Sequence, residues 1–269
     1  MVVMSLRTAP SHRFVYSPDG MQLATYEFGD PAAPTVVVVH GFASSAVANW
    51  HLTGWTRDLT RAGFHVIAID QPGHGASDKP HSPAAYTMAI LVADVQRVLD
   101  AYLLDEVDYV GYSLGARVGW QAACELEGRV RRAVLGGIPD GDPLRRFRIA
   151  DARAHIEHGT DVDDRLTGAY LTMARAVPGN DLRALVALVE GMRGGSQPGA
   201  ENAPAQPLLF ATGSEDRILE ASRALARAAP DAAFVEIPGR NHFNAPTARA
   251  FREAAIGFLS SPGTPVSPR

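Results

Sequence analysis

A single cysteine, Cys124, stands in this chain of 269 residues, which excludes an internal disulfide and any thiolate metal cluster. It reads as a small buried side chain within a helix-like segment. Runs of Lys or Arg interleaved with aromatic residues are missing, and the formal net charge is −4, so nucleic acid is not an expected partner. No apolar stretch reaches the roughly 18 residues that a membrane span requires. Residues 1–12 also lack the basic start and long apolar core of a secretory leader. The expectation from these absences is a cytoplasmic protein with no nucleic-acid partner and no membrane partner. Oligomeric state is not legible.

Hydrophobic residues make up 46% of the chain and charged residues 20%, the balance of an ordinary globular protein. The length suits one α/β domain carrying an insertion. The organising stretch is Val107-Asp108-Tyr109-Val110-Gly111-Tyr112-Ser113-Leu114-Gly115-Ala116-Arg117. An apolar strand-like run ends in G-Y-S-L-G and passes directly into an Ala-rich segment without proline, the pattern of strand, tight turn and helix. Gly111 and Gly115, two residues either side of Ser113, let the strand and helix pass closely without a Cβ clash. The turn lifts the Ser113 hydroxyl clear of the sheet. The amide of Leu114, at the helix N-terminus, is a candidate donor to an oxyanion.

The rest of the chain reads as strands and helices in alternation. Residues 14–16 and 21–27 flank Pro18-Asp19-Gly20 as a hairpin. Thr35-Val36-Val37-Val38-Val39 is a β-branched run suited to burial on both faces. It ends in His40-Gly41-Phe42-Ala43, a loop whose Phe42 N–H is a candidate second oxyanion donor. Residues 49–62 read as a helix broken near Gly54. Residues 64–69 form the next buried strand, before Asp70-Gln71-Pro72-Gly73-His74-Gly75-Ala76-Ser77-Asp78, a structured loop in which His74 has a holding role. The apolar spacing over residues 87–102 is that of an amphipathic helix, and residues 130–136 are another strand.

Residues 140–193 show no strand. Helices are expected over 144–158, 164–176 and 181–192, followed by a loose Gly/Pro linker. Strands resume at 207–212 and 233–237, with a helix over 219–229 between them. A final helix begins at Pro246 and runs to about residue 259, and the Ser/Pro/Gly tail to residue 269 is expected to fray. Strand and helix alternation argues for a mostly parallel sheet covered on both faces.

Ser113, Asp216 and His242 each follow a strand end, and in a parallel sheet those ends share one edge. This chain order resembles that of the α/β-hydrolase superfamily. The resemblance covers nearly the whole sequence and rests on H-G at 40–41, D-Q-P-G-H-G-A-S-D at 70–78, G-Y-S-L-G at 111–115, G-S-E-D at 213–216 and G-R-N-H-F at 239–243. It implies a mostly parallel eight-stranded sheet with helices on both faces and a helical cap insertion. The core would then comprise residues 1–138 and 205–269, and the cap residues 139–204. Ser113 would be the nucleophile, His242 the base and Asp216 its orienting acid, with backbone N–H groups of Phe42 and Leu114 as the oxyanion hole and His40, Gly41, Gly111 and Gly115 as support. Asp140 and Glu215 are rival acids, while His155 and His158 fall in the cap.

The resemblance implies a serine hydrolase whose partner is a small-molecule substrate, a carboxylic ester, lactone or thioester of small to medium size, working through an acyl-enzyme with no organic cofactor and no metal. Serine at position 113 argues against the haloalkane dehalogenases and epoxide hydrolases of this fold, which carry an aspartate nucleophile. The His-Gly-Phe loop argues against the branch that handles bulky tertiary-alcohol esters. The alternatives are a carbon–carbon bond hydrolase of the same fold, or a slow-turnover ligand-binding or biosynthetic protein that keeps the triad.

Overall fold

The computed structural model describes residues 10–126 and 128–261; the expected absence of a leader in residues 1–9 and the expected frayed tail lie outside them. Eight strands form one sheet in the order β1-β2-β4-β3-β5-β6-β7-β8. They are β1 (Arg13–Tyr16), β2 (Gln22–Phe28), β3 (Thr35–Val39), β4 (His65–Ile69), β5 (Val107–Tyr112), β6 (Val130–Gly136), β7 (Leu208–Gly213) and β8 (Ala232–Ile237). Only β2 opposes the other strands, pairing antiparallel with both β1 and β4. Strands β3 to β8 are parallel. The mostly parallel eight-stranded sheet is therefore present as expected.

The β-branched run of β3 shows why the sheet is central. Val36 to Val39 are all 0% exposed, with successive side chains on opposite faces. Val37 and Val39 pack with α2 (Met88–Ala101) and α3 (Leu114–Glu125), through residues such as Leu91 and Val118. Val36 and Val38 pack on the other side with Trp55 and Leu59 of α1 (Trp55–Arg61) and Phe251 of α8 (Arg249–Ser260). Burying each such valine contributes about 1.5–3 kcal/mol, and a polar residue here would face apolar packing on either side.

Between β6 and β7 the chain forms three helices, α4 (Ile149–His158), α5 (Arg165–Ala176) and α6 (Leu182–Gly191), and α7 (Leu219–Ala228) separates the last two strands. Helix α6 also reaches the core, with Leu188 fully buried in the cluster beside α2.

Three element boundaries differ from the sequence expectation. The segment expected as a helix over 144–158 turns first and becomes helical only at Ile149. The Asp142 carboxylate accepts from Leu144 N–H at 2.9 Å, and the Thr167 hydroxyl accepts from Arg148 N–H at 2.9 Å, leaving Arg148 extended. The last helix starts at Arg249, because Pro246 lies in a separate 3₁₀ turn, Ala245–Thr247, whose Pro246 carbonyl accepts from the Trp55 indole at 2.8 Å. The break near Gly54 is present, but the part before it is a π-helical turn, Val47–His51, and Gly54 takes φ 87° to start α1.

Candidate active site

The turn after β5 carries the first group. Ser113 adopts φ 52° and ψ −110°, a strained conformation for a residue with a Cβ. The glycines around it permit the approach of helix to strand. A Cβ on Gly115 would overlap the Val39 carbonyl, and one on Gly111 would overlap the Gly115 carbonyl. Neither obstacle is a flexible side chain. Leu114 begins α3 directly after Ser113, so its N–H lies at the positive end of the helix.

The loop after β8 brings His242 over this turn. Its Nε2 lies 3.0 Å from Ser113 Oγ, and its Nδ1 lies 2.8 Å from Asp216 Oδ2. A carboxylate can only accept, so Nδ1 carries the proton and Nε2 of the neutral ring faces the serine hydroxyl as acceptor. Asp216 is buried after β7, and its other oxygen accepts from Ile218 N–H at 3.2 Å. The rivals stand elsewhere: Glu215 is exposed at the cavity wall, and Asp140 is exposed outside it. His155 binds the Thr160 carbonyl at 2.7 Å, and His158 is exposed; neither lines the cavity.

The loop after β3 lies against the same turn. A Cβ on Gly41 would stand 3.4 Å from the Ser113 Cβ. The Phe42 N–H has no protein acceptor among the described residues. Two buried histidines secure this loop. His40 Nε2 accepts from Gln71 N–H at 3.1 Å and its Nδ1 donates to the Gly41 carbonyl at 2.8 Å. His74 Nε2 accepts from Ala43 N–H at 3.0 Å and its Nδ1 donates to the Pro72 carbonyl at 2.9 Å. Burial holds the His40 pKa down at about 4, and burial with the neighbouring His40 holds His74 at about 3. Both rings are thus neutral acceptors at neutral pH, and the 3.9 Å approach of His40 to Asp70 is no ion pair.

Around these groups is a cavity of about 930 Å³, walled by Ser113, His242 and Phe42 below and by Leu166, Tyr170 and Met173 of α5 above. A mainly apolar wall with a few convergent polar groups suits an organic substrate of moderate size. Among the described residues no group of three or more His, Cys, Asp or Glu stands close enough to hold a metal ion. No helix among them is long and apolar enough to cross a membrane.

Three contributors were not legible in the sequence. Tyr112 donates its hydroxyl to the His242 carbonyl at 2.6 Å. Asn180, between α5 and α6, donates to the Ala43 carbonyl at 3.0 Å. Arg117 is buried one helical turn past Ser113, where it donates to the Gly141 carbonyl and to Gln197, and burial lowers its pKa to about 10. Tyr112 and Arg117 lie within the stretch around Ser113 and Asn180 lies outside it, but in none of the three does the local sequence show the partner.

The sheet order, the strained turn and the convergence of strand-end loops define an α/β-hydrolase fold. The family model described as alpha/beta hydrolase fold matches residues 34–153. Epoxide hydrolase A of Mycobacterium tuberculosis (strain ATCC 25618 / H37Rv) is 35% identical over 131 residues, which are 49% of this chain and 39% of that one. The chain spans well under half the length of the curated relatives it matches. Among solved structures, a hydrolase from Pseudomonas aeruginosa PA01 superposes with TM-score 0.74 at 24% identity, over 94% of this chain and 100% of that one. The enol-lactonase from Burkholderia xenovorans LB400 superposes with TM-score 0.75 at 21% identity, over 93% and 100%. The match to that family model and the superpositions agree on the α/β-hydrolase fold for this chain.

Proposed function

We propose that this protein is a serine hydrolase that cleaves carboxylic esters, or the related lactones and thioesters, of small to medium organic molecules through an acyl-enzyme on Ser113. The observation that supports it is the unbroken line from Asp216 Oδ2 through both ring nitrogens of His242 to Ser113 Oγ, at 2.8 and 3.0 Å. Ser113 Oγ attacks the acyl carbon while its proton passes to His242 Nε2, and Asp216 offsets the imidazolium charge. The N–H groups of Phe42 and Leu114 stabilise the tetrahedral oxyanion, where one donor is worth about 3 kcal/mol. Collapse expels the alcohol, which takes the proton from His242. Water then repeats the sequence, releasing the acid and restoring Ser113. Residues 139–204 act as the cap over the cavity.

Similarity to epoxide hydrolase A supports a second reading, epoxide hydrolysis. Bond chemistry ranks it lower. A serine that opened an epoxide would be left as an alkyl ether, with no carbonyl for water to attack, whereas an acylated serine is an ester that water cleaves by the same route. Carbon–carbon bond hydrolysis and slow-turnover ligand binding are compatible with the same three side chains.

The test is a fluorophosphonate probe with mass analysis, together with turnover of short-chain nitrophenyl esters and styrene oxide. The expected result is an adduct at Ser113 and ester turnover that vanishes in Ser113→Ala. Ester turnover that survives in Ser113→Ala, or epoxide opening in the absence of esterase activity, would overturn the assignment.

A further inference from the structure

Three residues other than glycine hold positive φ among the described residues: Leu103 on the exposed surface, Ser113 at the nucleophile turn and Ala43 in the loop after β3, at φ 56°. Such a conformation costs on the order of 1–3 kcal/mol and persists only where its surroundings determine it. Ala43 is held at both of its backbone polar groups. Its N–H donates to His74 Nε2 at 3.0 Å, from within the core, and its carbonyl accepts from Asn180 Nδ2 at 3.0 Å, from the helical insertion. The same Asn180 Nδ2 also donates to the Ala174 carbonyl at the end of α5, at 3.0 Å. One carboxamide therefore bridges α5 to the loop beside Ser113.

Packing follows the same line. Ala43 is buried in a small cluster with Ala174 and Leu185 of the insertion. The ring of its neighbour Phe42 meets Tyr170 of α5 edge-on, with centroids 5.8 Å apart. The loop bearing the Phe42 N–H is thus gripped by the core on one side and by the insertion on the other. We propose that Asn180 is a positioning residue, and that seating of the insertion and completion of the oxyanion hole are a single event. With Asn180 in place the Ala43 backbone is fixed and the Phe42 amide is preorganised. Without it, Ala43 can relax from its strained φ and the amide leaves the position that stabilises the transition state. The insertion then contributes to rate as well as to enclosure. The inference rests on the acyl-transfer reading for the role of Phe42.

The experiment compares the parent with Asn180→Asp, which keeps the shape and removes the N–H donor, with Asn180→Ala, and with Asn180→Gln, which restores a carboxamide. Two readouts are used: kcat and KM on a nitrophenyl butyrate, and the rate of fluorophosphonate labelling at Ser113. Labelling requires the nucleophile and oxyanion hole but no particular ester, so failure of the ester reading leaves it intact. Losing one oxyanion donor outright lowers kcat about 10²–10³-fold, and misplacing one is expected to lower kcat and labelling about tenfold to a hundredfold. KM should move less than about threefold, because only transition-state stabilisation is lost, and Asn180→Gln should recover part of the rate. A rise in KM at unchanged kcat and unchanged labelling would overturn the proposal, leaving the insertion as a roof alone. Loss of labelling in Asn180→Ala but not in Asn180→Asp would also overturn it, by tracing the effect to packing.

Discussion

The hydroxyl of Tyr112 donates to the carbonyl oxygen of His242 at 2.6 Å, so the residue before the candidate nucleophile holds the loop that carries the candidate base. The phenol is buried, and burial together with the charge of Asp216 raises its pKa well above the ordinary value, which keeps it a neutral donor. Tyr112→Phe retains the ring and removes only this bond. We expect stability to fall by about 1–3 kcal/mol, the range for a buried carbonyl left unpaired, and kcat to fall more than KM changes. Chemical denaturation and steady-state kinetics on one ester check both; identical kcat in the variant would show that the His242 loop needs no such tether.

The acid at the far end of the triad can be tested against its neighbours. Asp216 touches His242 Nδ1 at 2.8 Å, whereas Glu215 and Asp140 are exposed and make no such contact. Asp216→Asn should therefore reduce kcat by about 10³-fold or more, through the wrong imidazole tautomer and an unbalanced charge. Glu215→Gln and Asp140→Asn should stay within about threefold of the parent, since neither orients the ring. A profile with the large loss at Glu215 or Asp140 would reassign the acid.

What was legible in the sequence was whatever depended on neighbours in the chain. The run at Val36 to Val39 is fully buried on both faces, as an uninterrupted β-branched stretch should be. Gly111 and Gly115 sit where backbone meets backbone, as the spacing about Ser113 implied. Tertiary partners decided the rest. Pro246 does not begin α8, because its carbonyl is engaged by Trp55, 191 residues away in the chain. Asn180 looks like an ordinary turn residue in P-G-N-D, and nothing local shows that its carboxamide reaches Ala43. The candidate triad was readable because each member ends a strand motif, whereas the contacts that position it come from residues with no motif.

The two buried histidines make stability depend on pH. His40 at about 4 and His74 at about 3 both lie below the ordinary 6.5. Between about pH 6.5 and 4 the unfolded chain binds protons at these positions that the native chain does not, so their contribution is complete above pH 6.5 and is lost as pH falls through that window. For His40 alone the loss is on the order of 3 kcal/mol. Asp94 works in the opposite sense, because burial raises its carboxyl to about 6 and the native state then gains protons over part of the same range. The histidine shifts are together the larger, so urea midpoints should fall from pH 7.5 to pH 4.5. His74→Asn, which keeps an acceptor for Ala43 N–H and does not titrate, should flatten that fall. Equal pH dependence in parent and variant would remove His74 as its source.

Two glycine substitutions should move stability in opposite directions, for reasons of space and conformation. A Cβ on Gly115 would overlap the Val39 carbonyl and stand 2.7 Å from the His40 carbonyl oxygen, both of them backbone atoms beneath the candidate oxyanion loop. Gly115→Ala can be accommodated only by pushing α3 away from β3, and overpacking of this kind costs about 1–3 kcal/mol or more. Gly257, inside α8, has nothing within 4 Å of its would-be Cβ and carries no positive φ. Gly257→Ala should stabilise the protein by about 0.5–1 kcal/mol, through the helix preference of alanine and the smaller entropy of the unfolded chain. Thermal midpoints of the two variants measured beside the parent decide the matter. A Gly115→Ala protein as stable and as active as the parent would mean that the helix need not pass this close to β3 for the nucleophile turn to form.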